Sequence, residues 1–240
     1  MVRLGLISDP HYGFNDKTHE IWMMFLKECS EKRVDGWILA GDIGMRSLDG
    51  LRRALKLFRS YIPRPIPVGL VWGNHDFYDY ESKTLLETAK AHATMLSETS
   101  IQHLSTPLII DDVIIAGFDG WYEPAYTAEK GKHIQDFTND HEWMPKLIEG
   151  VPMHQYMRER AWKDMNKFLE IDTSSYRKVV AVTHFPMFTE NNNYKAMCAN
   201  FHWLQPILDK SDVLCVGHFP PSPSESDGMR EFNTKYRISI

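Results

Sequence analysis

Val68-Gly69-Leu70-Val71-Trp72-Gly73-Asn74-His75-Asp76 changes character within two residues. Its first five residues are a continuous apolar run, the mark of a strand buried on both faces. Its last three place a carboxamide, an imidazole and a carboxylate side by side behind a glycine that supplies the turn. Four other places repeat the arrangement: Ile7-Ser8 leads to Asp9-Pro10-His11, Leu39-Ala40 to Gly41-Asp42, Val182-Thr183 to His184, and Cys215-Val216 to Gly217-His218. In open α/β sheets ligands bind beyond the carboxyl ends of the strands, so these distant residues are expected to converge on one edge. Taken singly, each cluster is no more than a turn satisfying its own backbone. All five in order, each behind an apolar strand, describe a site. Carboxylate, imidazole and carboxamide oxygen are hard or borderline donors that suit divalent first-row metals, and no cysteine takes part, which argues against a thiolate zinc site.

The surrounding sequence alternates strand and helix. Residues 2–8 read as a strand buried on both faces. Thr18 then caps a helix carrying Ile21, Trp22, Phe25, Leu26 and Cys29. A strand over 37–40 precedes a helix capped by Ser47, carrying Leu48, Leu51, Leu55 and Phe58 and stopped by Pro63, Pro65 and Pro67. A third helix follows with Leu85, Leu86, Ala89, Ala93 and Leu96, and Asp111-Asp112 between two apolar runs predicts a tight antiparallel hairpin. Residues 121–154 are polar, aromatic and poorly periodic. They are too long for an ordinary connection and read as a lid or partner segment inserted into a single α/β domain spanning 1–240. Periodicity returns as a helix over 155–170, a strand over 179–182, a helix over 194–208, a strand over 213–216 and a short hairpin in 228–240.

Composition narrows the function classes. A chain of 240 residues, 43% hydrophobic and 25% charged with net charge −5, is globular and carries no overall basic field to collect nucleic acid. Arg52, Arg53, Lys56 and Arg59 sit at helical spacing and read as a solvated face. No apolar run approaches the roughly 20 residues a bilayer requires, so no membrane partner is expected, and residues 1–7 are too short for a signal h-region. Cys29, Cys198 and Cys215 are odd in number and widely spaced, which favours unpaired thiols in a reducing compartment; a cytoplasmic protein is expected.

The ordered set Asp-x-His, Gly-Asp, Gly-Asn-His-Asp, His and Gly-His resembles the calcineurin-like metallophosphoesterase family over residues 1 to about 220. That resemblance implies a four-layer α/β/β/α sandwich and a dinuclear centre of divalent or trivalent ions, Mn2+ and/or Fe. It implies that Asp9 and His11 hold the first metal, that Asp42 bridges both, and that Asn74, His184 and His218 complete the second. His75 would protonate the leaving oxygen, with Asp76 keeping that imidazole charged and aligned. Two cations roughly 3.5–4 Å apart activate a bridging hydroxide for in-line attack at phosphorus, so the implied activity is hydrolysis of a phosphomonoester or phosphodiester. One position departs from the pattern. The family's last motif is Gly-His-x-His, and Pro220 stands where its second histidine, a ligand of the first metal, would be. The resemblance therefore implies a weakened first site, to be filled by water, substrate or an insert residue such as His133, His141 or His154.

Two rival readings follow. Pro220 motivates a catalytically weakened family member acting as a binding or scaffold protein; the retained His75-Asp76 pair argues against it, because a scaffold needs no leaving-group acid. A nuclease acting with a partner is disfavoured by the acidic balance, although a local phosphate-binding groove needs no global positive charge. Arg46 reads as an exposed residue at a helix start and the run Asn191-Asn192-Asn193 as a loop, with phosphate or substrate contact the alternative for each. The residues that choose the substrate are expected in 121–154, where the sequence offers no pattern.

Overall fold

Strand alternation sorts the apolar residues of this chain into three core layers. The computed structural model describes residues 1–15, 17–45, 47–79, 84–121, 147–148, 151–185 and 204–218. Strands β1 (Leu4–Ile7), β2 (Gly36–Ala40), β3 (Val68–Val71) and β4 (Gln102–His103) form one parallel sheet in that order. The second sheet has the order β10 (Val213–Val216), β9 (Lys178–Thr183), β6 (Val113–Phe118), β5 (Leu108–Ile110), parallel except for the β5–β6 hairpin. Successive strand residues point to opposite faces. Thus Trp37, Leu39 and Leu70 pack outward with Trp22, Leu26, Leu51, Leu55, Phe58 and Met95 of the helices α1 (Lys17–Glu31), α2 (Leu48–Tyr61) and α3 (Leu85–Thr99). Ile38, Ala40 and Val71 face inward and meet Ile115, Val180, Val182 and Cys215 of the other sheet. On the far side Ile114, Phe118, Ala181 and Leu214 pack with Met165 and Phe168 of α4 (Met153–Glu170) and Ile207 of α5 (Leu204–Lys210). The four-layer α/β/β/α sandwich is therefore present.

The local predictions fare unevenly. Ser47 accepts the Gly50 N–H at 3.0 Å as the N-cap of α2, and the hairpin pairs Ile110 with Val113 around Asp111 in the left-handed region. Thr18, however, lies inside α1: Asn15 Oδ1 accepts the Lys17 N–H, while Thr18 Oγ1 accepts from Gly13. The buried stripe of α1 is Trp22, Leu26 and Cys29, and Ile21 is 62% exposed. Strand β1 is an edge strand in which only Ile7 is buried, not a strand buried on both faces. In α3 the buried face is Leu85, Thr88, His92, Met95 and Thr99, while Leu86 and Ala93 point outward. Apolar periodicity misplaced this face because its polar members satisfy themselves internally: Thr88 and Thr99 donate to the carbonyls of Thr84 and Met95, and His92 to that of Asp76.

Within 121–154, residues 147–148 and 151–152 pair as a two-stranded ribbon, β7 and β8, and α4 begins at Met153; residues 122–146, the first part of the helix expected over 194–208, and the tail hairpin lie outside the described residues. Arg52, Lys56 and Arg59 of the basic cluster on α2 are engaged locally. Arg52 and Lys56 face Glu98 at 3.8 and 2.8 Å, and Arg59 donates to the carbonyls of Ile66, Thr99 and Ser100. Cys29 and Cys215 are free and buried, which pushes their thiols up to about 11 and about 12. Among the described residues no helix is long and apolar enough to cross a membrane.

His92 gives the fold a pH dependence. Its ring stacks on Trp72 at 4.1 Å, and burial lowers its pKa to about 3. In the unfolded chain it titrates near 6.5. The unfolded state alone takes up this proton between those values, so the stability is fully present above about pH 6.5 and is lost as pH falls toward 3, by roughly 4 kcal/mol. Urea unfolding at a series of pH values should show a weaker acid dependence in His92→Gln than in the wild type; identical slopes would show that His92 does not carry it.

Candidate metal centre

The five polar clusters occupy the turns that follow β1, β2, β3, β9 and β10, all at the carboxyl ends of parallel strands. Asp9, His11, Asp42 and His218 have φ values of 56, 46, 54 and 75°. Left-handed backbone is uncommon for residues with a Cβ and persists where the surroundings over-determine it, typically at functional sites. Cross-loop hydrogen bonds do so here. The amides of Asp9 and His11 donate to the carbonyls of Gly41 and Asp42, each at 3.1 Å, and Tyr12 donates to Ile43 at 3.0 Å. Glycines permit the closeness this demands. A Cβ on Gly41, whose φ is 88°, would lie 2.4 Å from His184 Nδ1, and one on Gly73 would lie 2.0 Å from Asp42 Oδ1.

Asp42 stands at the middle of the cluster, 1% exposed. Its Oδ1 accepts the His75 amide at 2.9 Å. Its Oδ2 faces three imidazoles from three different turns, with Nε2 of His184, His75 and His11 at 3.3, 3.8 and 4.0 Å. His184 Nε2 also lies 3.3 Å from Asn74 Oδ1 and 3.2 Å from His218 Nδ1. Asp9 is tied down by donors from Ser8 Oγ and the His218 amide, and its Oδ1 is 3.9 Å from His11 Nε2. The turns thus bring together Asp9, His11, Asp42, Asn74, His75, His184 and His218.

Asp76 differs from the expectation. Its Oδ2 accepts the amides of Asp42 and Gly73 at 2.8 and 2.9 Å, and its Oδ1 accepts that of Gly44 at 2.9 Å. It fastens the β2 and β3 turns to each other instead of gripping the His75 ring. The reason is local: His75–Phe77 is a 3-10 turn, whose three residues per turn send neighbouring side chains about 120° apart. Burial, then the Asp42 charge, raises the Asp76 carboxyl to about 7.

The donor set fits a cation. His184 Nδ1 donates to the Ala40 carbonyl at 2.8 Å, which turns the lone pair of the neutral ring, on Nε2, toward Asp42, Asn74 and His218. Acceptors converging so closely need a positive charge among them. Without a metal that charge is a proton: burial opposes it, but Asp42 and Asp9 outweigh burial and raise His184 to about 10. Burial likewise opposes ionisation of Asp42, and His184, His75 and His11 nonetheless hold its carboxyl well below the usual range. Burial raises Asp9 and, with His184 adjacent, lowers His218. Two overlapping groups have ligand atoms all within 4.8 Å of one another, His11-Asp42-His75 and Asp42-His184-His218. Among the described residues His11 commits neither ring nitrogen to a hydrogen bond.

Pro220, Arg46, His133, His141 and Asn191 to Asn193 lie outside the described residues, as does the side chain of His154. Sequence reasoning passed over Ser8, which orients Asp9, and Tyr78, whose ring lies 4.4 Å from that of His75. It also passed over Asp119, although Phe118-Asp119-Gly120 carries the same strand-then-polar-turn signature as the five clusters.

Fold and site together define a two-sheet α/β protein with a cluster of carboxylates and imidazoles at its strand ends that could hold metal ions. The chain belongs to the calcineurin-like phosphoesterase family, whose model matches residues 2–238. A dimetal phosphatase from Danio rerio superimposes with a TM-score of 0.54 at 14% identity, covering 90% of this chain and 81% of its own. A protein from Thermus thermophilus does so with 0.53 at 11%, covering 92% and 84%. In sequence the chain is 21% identical over 216 residues to a mouse (Mus musculus) manganese-dependent ADP-ribose/CDP-alcohol diphosphatase; the match covers 77% of this chain and spans 60% of that protein's length.

Gly73 tests the packing of the centre. Gly73→Ala drives a Cβ against Asp42 Oδ1, which the His75 amide holds in place, and, at 2.5 Å, against the Asp42 amide, which is backbone. A stability loss of about 1–3 kcal/mol is expected, together with reduced Mn2+ uptake. Urea unfolding and metal analysis check both, and wild-type values would show that Asp42 yields without consequence.

Proposed function

We propose that this protein is a metal-dependent phosphoric ester hydrolase acting on a phosphomonoester or phosphodiester. The observation that carries this reading is the meeting at Asp42 Oδ2 of imidazole nitrogens from three separate turns, all within 4.0 Å. Asp9, His11 and Asp42 would hold one ion, and Asp42, Asn74, His184 and His218 the other, with Mn2+ or Fe the ions of choice for such donors. Bound there, two cations polarise the phosphoryl oxygens and acidify water at neutral pH.

The chain's own groups have distinct tasks. Asp42 would supply the negative charge shared by two neighbouring cations. Asn74 contributes a neutral oxygen and adds no further charge. His75, whose side chain is 21% exposed, is reachable from solvent while its Nε2 lies 3.8 Å from Asp42. From there it donates a proton to the departing oxygen. Asp76 acts through the backbone, holding the turns in register. Pro220 in place of a histidine would leave the first ion one imidazole short, and that ion would be held more weakly. The inserted segment over 121–154 of the single domain selects the substrate. The name of the mouse relative puts a phosphoanhydride such as ADP-ribose beside the simple esters in the assay.

Protein purified without chelator should contain Mn2+ or Fe and, supplemented with Mn2+, should hydrolyse p-nitrophenyl phosphate, bis-p-nitrophenyl phosphate or ADP-ribose. Asp42→Ala should abolish this turnover and lower metal content at both positions; full metal occupancy in that variant would defeat the bridging role.

His75→Ala should retain its metals and lose about 10²–10⁴-fold in turnover. The loss should shrink for esters with good leaving groups, which need little protonation. Equal losses across leaving groups would remove His75 from the proton-donor role.

A further inference from the structure

Asp119 is a carboxylate that the metal reading leaves unused, although it is only 3% exposed. It follows β6, the strand of the second sheet that pairs with β9. Its Oδ1 accepts the Trp72 amide at 2.8 Å and His103 Nε2–H at 2.7 Å, and its Oδ2 accepts from Arg160 Nη2 at 2.8 Å. Its carbonyl accepts the His184 amide at 3.3 Å and Thr183 Oγ1 at 3.4 Å. One residue of the second sheet therefore grips both the turn that delivers Asn74 and the turn that delivers His184. The side chains of those two residues meet at 3.3 Å.

The partners of Asp119 reinforce the same segment. The His103 ring lies stacked 6.3 Å from that of Trp72, and the Arg160 guanidinium sits 5.2 Å from the Phe77 ring, at the end of the 3-10 turn that begins with His75. Burial opposes ionisation of Asp119, and His103 and Arg160 outweigh it, holding the carboxyl well below its usual range. A buried ion network is a poor source of net stability, because desolvation offsets most of its Coulomb energy. A neutral oxygen would satisfy the Trp72 amide without that cost. What the network does supply is a fixed distance between two turns carried by different sheets.

We infer that Asp119 is a positioning residue that sets the spacing of Asn74 and His184, and through it the affinity of the metal pocket formed by Asp42, Asn74, His184 and His218. The inference rests on the metal reading above. Groups that orient metal ligands typically cost about 10–100-fold in metal affinity when removed.

The test is Mn2+ binding to the chelator-treated full chain, followed by calorimetry and by the electron paramagnetic resonance of free Mn2+, well below the melting temperature of each variant. Asp119→Ala is expected to bind Mn2+ about 10–100-fold more weakly at the tight site. Arg160→Met should show a smaller loss that Arg160→Lys recovers, since lysine retains the charge. A merely structural role would lower the melting temperature and leave Mn2+ affinity unchanged. A folded Asp119→Ala with affinity within about two-fold of wild type, against the loss expected for a ligand-orienting group, overturns the inference. Should Asp119→Ala not fold, Arg160→Met and His103→Gln decide, their side chains being 22% and 14% exposed: weakened binding supports the inference and unchanged binding overturns it. Wild-type protein that takes up no Mn2+ overturns the metal reading and this inference with it, whereas wild-type uptake with unaltered variants overturns the inference alone.

Discussion

The ionised carboxylate of Asp42, buried at the meeting point of the two sheets, is the constraint to which the rest of the structure answers. An isolated charge so far from water would cost many kcal/mol and would neutralise itself by taking up a proton. Asp42 stays ionised because its Oδ1 takes the His75 amide and its Oδ2 looks at three imidazoles. Its own amide is in turn bound by Asp76. The two acids are coupled in opposite senses: the charge held on Asp42 is one of the reasons Asp76 is raised to about 7, after burial itself. A centre built this way favours one concentrated positive charge among its acceptors, and His184 accordingly holds a proton up to about 10 when no metal replaces it.

Holding that geometry requires backbone that most sequences avoid. Asp9, His11, Asp42 and His218 all lie in the left-handed region, where a non-glycine residue costs on the order of 1 kcal/mol or more. The compensation is collective. Backbone bonds run from the β1 turn to the β2 turn, the Asp76 carboxylate ties the β2 turn to the β3 turn, and the Asp9 carboxylate receives the His218 amide from the far sheet. Strand parallelism makes this economical, since every carboxyl end arrives on the same side.

How much of this was legible in the sequence depends on whether a residue's task is local. Strand-end clusters are local signals, and the turns carrying Asp9, His11, Asp42, Asn74, His184 and His218 do come together. The hairpin at Asp111-Asp112 and the cap at Ser47 are equally local and were read correctly. The α3 face was not, because Thr88, His92 and Thr99 are polar by composition yet bonded within their own surroundings. Asp76 accepts the amides of Asp42, Gly44 and Gly73, a task that its adjacency to His75 in sequence does not announce. Asp119 carried a readable signature, but its partners Trp72, His103 and Arg160 lie 47, 16 and 41 residues away, and only the fold connects them.

The placement of the centre also ties the site to the packing of the whole domain. The first sheet contributes Asp9, His11, Asp42, Asn74 and His75, and the second contributes His184 and His218. Between them runs the inner core layer of Ile38, Ala40, Val71, Val180, Val182 and Cys215. Glycines allow the sheets to close at that end: a Cβ on Gly117 would lie 2.9 Å from Val71 Cγ1, and one on Gly217 would lie 2.5 Å from the Ala40 carbonyl. A cation held jointly by Asp42 and His184 would therefore also cross-link the sheets. Anything bound by the folded chain and not by the unfolded one stabilises the fold by mass action. At this centre that stabilisation would act on the inter-sheet seam, because the residues that would hold a cation are the ones whose turns join the two sheets.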